Sequence, residues 1–167
     1  MAVEDILVIP PGGSDRTDPW KNPAAFAGVT WRRVIAYLID AFVVALMAGA
    51  VWVGAGMLGL VTFGLLLPLQ SLLVALVPLA YHTFLIAGPR AATLGMRAFD
   101  LRVESLAGGG EGRPAVIQAL VQTATFYASV GMTGGLILLV ALFNARRRTL
   151  HDFLAGTMVV NVGGAGR

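Results

Sequence analysis

Residues 34–87 read VIAYLIDAFVVALMAGAVWVGAGMLGLVTFGLLLPLQSLLVALVPLAYHTFLIA, and Asp40 is the only Asp, Glu, Lys or Arg among them. One bilayer span takes roughly 20 apolar residues, so this stretch is long enough for two and must fold back on itself. Gly54, Gly56, Gly59, Gly64 and Pro68 supply the turn signals. They predict helices over about 33–56 and about 64–87, joined by an uncharged turn. Gly88-Pro89 ends the second helix, because the residue before a proline avoids the helical region. Pro78 falls inside that helix and is expected to kink it.

The whole chain agrees with that reading. Of its 167 residues 57% are hydrophobic and 13% are charged, against about 25% charged in a soluble domain. Mean hydropathy is +0.78. An integral membrane protein with one compact membrane domain is expected, in contact with the lipid bilayer. The chain has no cysteine, which excludes disulfides, thiol catalysis and Cys-ligated metals. His82 and His151 are too few for a His-rich metal site, so no metal and no cofactor is expected. The net charge of +3 fits Lys and Arg in cytoplasmic loops. Nucleic acid is not an expected partner, because no dense basic run with interleaved aromatics occurs.

Residues 1–24 hold Pro10, Pro11, Gly12, Gly13, Pro19 and Pro23 among mixed charges and read as a flexible tail. Glu4 and Asp5 with no basic region argue against a cleavable signal, so the first membrane helix is expected to direct insertion. Trp20, Phe26 and Trp31 suit the headgroup level. Residues 25–161 form the membrane domain, and 162–167 are a loose C-terminal tail.

Residues 90–114 are a polar linker carrying Arg90, Arg97, Arg102 and Arg113. Within it Phe99 to Glu104 alternates apolar and charged residues, as a half-exposed strand does. Ala107 to Gly112 reads as a flexible turn. In residues 115–143, Gln118, Gln122, Thr125 and Ser129 fall on one helical stripe, largely apart from Val116, Leu120, Val121 and Ala124. Gly131, Gly134 and Gly135 interrupt that run, and Leu136–Phe143 is too short to span alone. Gly156 to Asn161 is a second candidate strand.

Arg32 and Arg33 precede the first span, and the linker after the second is rich in arginine. The positive-inside rule therefore puts the N-terminus and linker in the cytoplasm. A single crossing by 115–143 would leave Arg146, Arg147 and Arg148 outside. A broken or re-entrant hairpin at Gly131–Gly135 brings them back and is the preferred reading. It also lets the two short strands pair. The expected fold is an all-α membrane protein with two transmembrane helices, a third broken or re-entrant segment and a short cytoplasmic strand pair.

Three blocks of the chain resemble the RDD family of bacterial membrane proteins, named for one Arg and two Asp. They are Arg33 with Ala36-Tyr37-Leu38-Ile39-Asp40, Thr93-Leu94-Gly95 with Leu101-Arg102-Val103, and Arg147-Arg148-Thr149-Leu150-His151-Asp152-Phe153-Leu154-Ala155-Gly156-Thr157. Met96 stands where the family usually has Lys, with Arg97 next. The resemblance implies a multi-pass protein of the bacterial cytoplasmic (inner) membrane. For function it implies only that transport, including cation/proton exchange, has been suggested in the family.

The candidate residues are Arg33, Asp40, His82, Arg147, Arg148 and Asp152. Seven residues of helix put Arg33 and Asp40 on one face but about 10 Å apart. Each is therefore expected to answer to a different segment: Arg33 to Asp152, and Asp40 to His82 or to Arg147 or Arg148. Asp40 reads either as an ion or proton ligand or as a structural partner. Asp40 and His82 come to similar depth in an antiparallel hairpin, which makes a carboxylate–imidazole pair a candidate proton-handling unit. His151-Asp152 lacks a nucleophile, so no enzyme is expected. Thr149, three residues before Asp152, fits a capping box. The two functions in view are a transporter or transporter subunit for a monovalent cation or proton, and a membrane scaffold or accessory subunit with a basic cytoplasmic face. With so few spans, either a homo-oligomer or a membrane-protein partner is expected.

Overall fold

The computed structural model describes residues 20, 22–106, 112–133 and 148–163. Its architecture is mostly helical with one small sheet. A 3-10 turn at Pro23–Ala25 precedes α1 (Val29–Val61), α2 (Leu67–Ala87) and the short α3 (Leu94–Ala98). Then come β1 (Leu101–Ser105), α4 (Val116–Thr133), α5 (Leu150–Ala155) and β2 (Thr157–Asn161).

Both long helices differ in their limits from the expected 33–56 and 64–87. α1 starts at Val29, behind Gly28 in the left-handed region (φ 67°), and runs through Gly54, Gly56 and Gly59. An isolated helical glycine costs only about 1 kcal/mol relative to alanine. In lipid, an unpaired backbone group costs several times more. The helix therefore continues until Phe63 and Gly64 adopt positive φ and the Gly64 N–H closes on the Gly59 carbonyl at 2.8 Å. Pro68 sits in the first turn of α2, where its missing N–H removes nothing. The 33 residues of α1 extend about 50 Å, more than the ~30 Å of a bilayer's hydrocarbon.

Among the described residues, α1 and α2 are the helices long and apolar enough to cross a membrane. Their outer faces carry Leu38, Phe42, Trp52, Leu72 and Phe84, all exposed. α4 has the same polarity. Its predicted polar stripe turns inward, with Gln122 and Ser129 buried, while Val116, Ile117, Leu120 and Val121 face out. A soluble amphipathic helix does the reverse, and an exposed apolar surface this extensive needs lipid or protein to cover it. α4 also continues through Gly131 to Thr133, so the break expected at Gly131 does not occur there.

The buried core lies at one end of the bundle, around Val29, Ala36, Ile86, Leu101, Val103, Ala119 and Val159. There β1 and β2 pair antiparallel, from Leu101 opposite Asn161 to Ser105 opposite Thr157. The pairing forms the expected short sheet. It also means that the chain leaving after β1 comes back to the same end. The segment in which it returns, 134–147, lies outside the described residues, and so do Gly134, Gly135, Leu136–Phe143, Arg146 and Arg147. The expected tail and turn at 1–19, 107–111 and 164–167 also lie outside them.

Candidate functional site

Two buried carboxylates organise the cap of the bundle. Asp40 projects from α1, is 2% exposed, and receives three neutral donors. Its Oδ1 accepts the Tyr81 hydroxyl at 2.8 Å and the Gly95 N–H at 2.8 Å, and its Oδ2 accepts the Thr93 hydroxyl at 2.6 Å. Local sequence explains the last two. Thr93 is the N-cap of α3, its Oγ1 accepting the Met96 N–H at 3.3 Å while its hydrogen goes to Asp40. Gly95 packs its backbone flat on α1, where a β-carbon would collide with the Ala36 carbonyl. The Thr-Leu-Gly block is thus a one-turn helix that presents donors to a carboxylate.

Asp152, in the first turn of α5, has no exposed side-chain surface, and Arg33 Nη2 reaches its Oδ2 at 2.8 Å. The same Oδ2 accepts the Thr149 N–H at 3.0 Å and the Thr149 hydroxyl at 2.8 Å, and the Asp152 N–H donating back to the Thr149 side chain completes the expected capping box. Its Oδ1 accepts the Gln122 amide N–H at 2.9 Å. Burial raises the Asp152 pKa, but the Arg33 guanidinium, His151 and the capping bonds outweigh it, and the net displacement is downward. Burial, opposed by Asp152 and reinforced by Arg33, brings His151 down to about 4. His151 is therefore neutral at physiological pH, in keeping with its place between a cation and an apolar wall.

Arg148 does not serve Asp40. Its Nε donates to the Thr157 carbonyl and its Nη2 to the Asp152 carbonyl, each at 2.9 Å, with the guanidinium 4.1 Å above the Phe153 ring centre. It fastens α5 to β2. His82 donates no hydrogen bond to Asp40 either. Tyr81, its neighbour in sequence, takes that place, and His82 Nδ1 lies 3.0 Å from the Pro78 carbonyl and 3.2 Å from the Tyr127 hydroxyl. Asp40 and His82 nonetheless face a common cavity.

That cavity, of about 130 Å³, lies between α1, α2, α4 and α5. Arg33, Tyr37, Asp40, His82, Gln122, Phe126 and His151 are among its walls. Phe126 stands in its wall, edge-on to Tyr37 at 5.1 Å and to His151 at 5.0 Å and stacked on His82 at 6.5 Å. Four residues of its wall, Thr30, Gln122, Thr123 and His151, each bury a side-chain polar atom that has no hydrogen-bond partner among the described residues. No group of His, Asp or Glu suited to a metal occurs among the described residues.

The candidate list held the charged residues of this site but not Tyr81, Thr123, Phe126 or Tyr127. Nothing in an apolar helix marks one hydroxyl or ring as facing inward. Gln122 was signalled by the polar stripe, whose direction only the packing reveals.

No curated protein and no solved structure gives a significant match to the chain. A family model does match, over residues 27–156, which include Arg33, Asp40 and Asp152 as well as the described residues that line the cavity. The chain belongs to the RDD family, and its family relationship and two apolar helices make it a membrane protein.

Proposed function

We propose that this protein is a small transporter, or a transporter subunit, for a monovalent cation or proton in the bacterial cytoplasmic membrane. The observation that carries the reading is the cavity. It places an ionisable carboxylate, Asp40, beside Gln122, Thr123 and His151 among helices whose outer faces are apolar. Ionisable groups held at such depth mark ion and proton paths by default. Arg32, Arg33, Arg90, Arg97, Arg102 and Arg148 belong to the capped end, and the positive-inside rule makes that end cytoplasmic. Few spans enclose little space, so a homo-oligomer or a membrane-protein partner completes the path.

The test is flux. Purified protein in sealed liposomes should drive exchange of protons against an imposed gradient of a monovalent cation, followed by an internal pH dye. Absence of flux in every oligomeric form would remove the transport reading.

A second reading is a scaffold or accessory subunit that presents the basic face to a partner or to anionic lipid. One observation favours it: Asp40 and Asp152 each accept several hydrogen bonds from neighbouring segments, as structural fasteners do. Stable copurification of a partner, or a preference for anionic lipid, together with absent flux would support it.

A further inference from the structure

The hydrogen bonds of His82 leave one of its ring nitrogens open. Nδ1 lies 3.0 Å from the Pro78 carbonyl, one helical turn back on α2. A carbonyl only accepts, so Nδ1 carries the ring proton and Nε2 keeps the lone pair. The Tyr127 hydroxyl, 3.2 Å from Nδ1, can share that proton as a second acceptor. Nε2 bonds nothing among the described residues. Unlike the unpartnered atoms of Thr30, Gln122, Thr123 and His151, it is not sealed from water. Three rings hold the imidazole in place: Tyr81 edge-on at 5.0 Å, Tyr127 edge-on at 5.6 Å and Phe126 stacked at 6.5 Å.

The charges around the cavity favour a cation at that nitrogen. Arg33 is matched by Asp152 at 2.8 Å. Asp40 accepts from the Tyr81 and Thr93 hydroxyls and the Gly95 N–H, all neutral. Three donors with no acceptor among its partners mark it as an ionised carboxylate. It is a buried negative charge to which no cation is bonded, an arrangement that costs free energy. The other titratable groups around His82 are Tyr37 on α1, Tyr81 on α2, Tyr127 on α4 and His151 on α5. Arg97 on α3 gives its Nε to the Ala92 carbonyl. His151 has its Nδ1 sealed and its Nε2 against the Thr149 hydroxyl. His82 is therefore the histidine of the cavity that can take up a proton without breaking a bond.

We propose that His82 Nε2 is the proton-binding atom of the cavity, with the Asp40 carboxylate as its fixed countercharge. Nε2 takes a proton from a hydronium ion, which leaves as water, and the ring becomes an imidazolium with Nδ1–H still on Pro78. Release reverses the step, and Asp40 stays ionised and bonded throughout. The inference deepens the proton- and cation-transport reading and rests on it for physiological purpose, while proton binding itself is measured separately from flux.

Nitrogen NMR of the full-length chain in detergent reads this directly, because the chain has two histidines. With isotopically labelled histidine and a tag that carries none, His82→Gln assigns the signals. Neutral His82 should show Nδ1 protonated and Nε2 bare. His151 should show the opposite, since its Nε2 must donate to a Thr149 oxygen whose hydrogen goes to Asp152. On acidification His82 Nε2 should gain its proton before His151, which burial brings down to about 4. Asp40→Asn should weaken proton binding at His82 tenfold or more. The proposal is overturned if neutral His82 carries its proton on Nε2, or if His82 stays neutral down to the pH at which His151 titrates. It is equally overturned if folded Asp40→Asn titrates like wild type. The first two results come from wild-type protein and do not depend on the folding of Asp40→Asn. In liposomes, His82→Gln should lower proton-coupled flux tenfold or more. A titrating His82 in a protein without flux would sink the transport reading alone, and undiminished flux in folded His82→Gln would sink this proposal alone.

Discussion

Arg33 Nη2 lies 2.8 Å from Asp152 Oδ2, tying the N-terminal end of α1 to the first turn of α5. The two residues sit near opposite ends of the family match. Arg33 and Asp40 share a helix face, yet each bonds a different later segment. Arg33 reaches α5, and Asp40 reaches α2 and α3. Together they pull three parts of the chain onto the capped end of one helix.

Breaking the buried pair from one side should cost more than removing it altogether. Losing one partner of a buried ion pair costs about 3–5 kcal/mol, because the other is left as an uncompensated charge. Arg33→Met and Asp152→Asn should each lower the thermal midpoint in detergent sharply. The double variant should be less destabilised than the sum of the two, as a double-mutant cycle would read. Additive losses would mean that the pair does not couple.

Gly95→Ala should be severe for a one-carbon change. The added methyl meets the Ala36 carbonyl and approaches Asp40 Oδ2 to 2.9 Å, so α3 must back away and release its N–H bond to Asp40. Thr93→Val should cost about 1–3 kcal/mol through the donor and cap lost together, with Thr93→Ser recovering most of it. Fluorescence-detected size-exclusion yields would rank the three variants. Gly95→Ala behaving like wild type would contradict the close approach.

Acid should destabilise the cap in two steps. His151 is held neutral in the fold, down to about 4, against an unfolded value near 6.5. Between those values the unfolded chain binds more protons, so stability is full above the unfolded value and falls as pH drops toward about 4. The loss is on the order of 3 kcal/mol at most. Asp152 is displaced downward from the ordinary carboxylate value, so its contribution is lost only at still lower pH. Thermal midpoints against pH should show the first step, and His151→Phe should flatten it.

The fold was readable where composition and spacing act directly. A long apolar run with one charge means two spans, because no other structure satisfies its backbone in lipid. The alternation Phe99 to Glu104 and the run Gly156 to Asn161 marked the two strands that pair. Thr149 and Asp152 announced their capping box. The helix limits were less legible, since Gly54, Gly56 and Gly59 resemble turn residues and act as such only outside a membrane helix. α3 was missed because a five-residue helix has no periodicity to read. Its Thr93 cap and Gly95 contact depend on what lies across from them. The site was half legible. Arg33, Asp40, Asp152 and His151 stand out as charges or imidazoles in apolar company. Tyr81, Thr123 and Phe126 gain their meaning only from the rotation of α2 and α4.

The account turns on one arrangement, in which both halves of the sheet and both ends of the membrane domain meet on one side of the bilayer. The chain has no native cysteine, so single cysteines report cleanly. Arg113→Cys and Gly163→Cys occupy exposed positions beside the sheet, and Phe63→Cys lies fully exposed at the far turn. With a membrane-impermeant thiol reagent, positions 113 and 163 should label from the cytoplasmic side and position 63 from the other. Labelling of 113 and 163 from opposite sides would contradict the account, because β1 and β2 could then never pair.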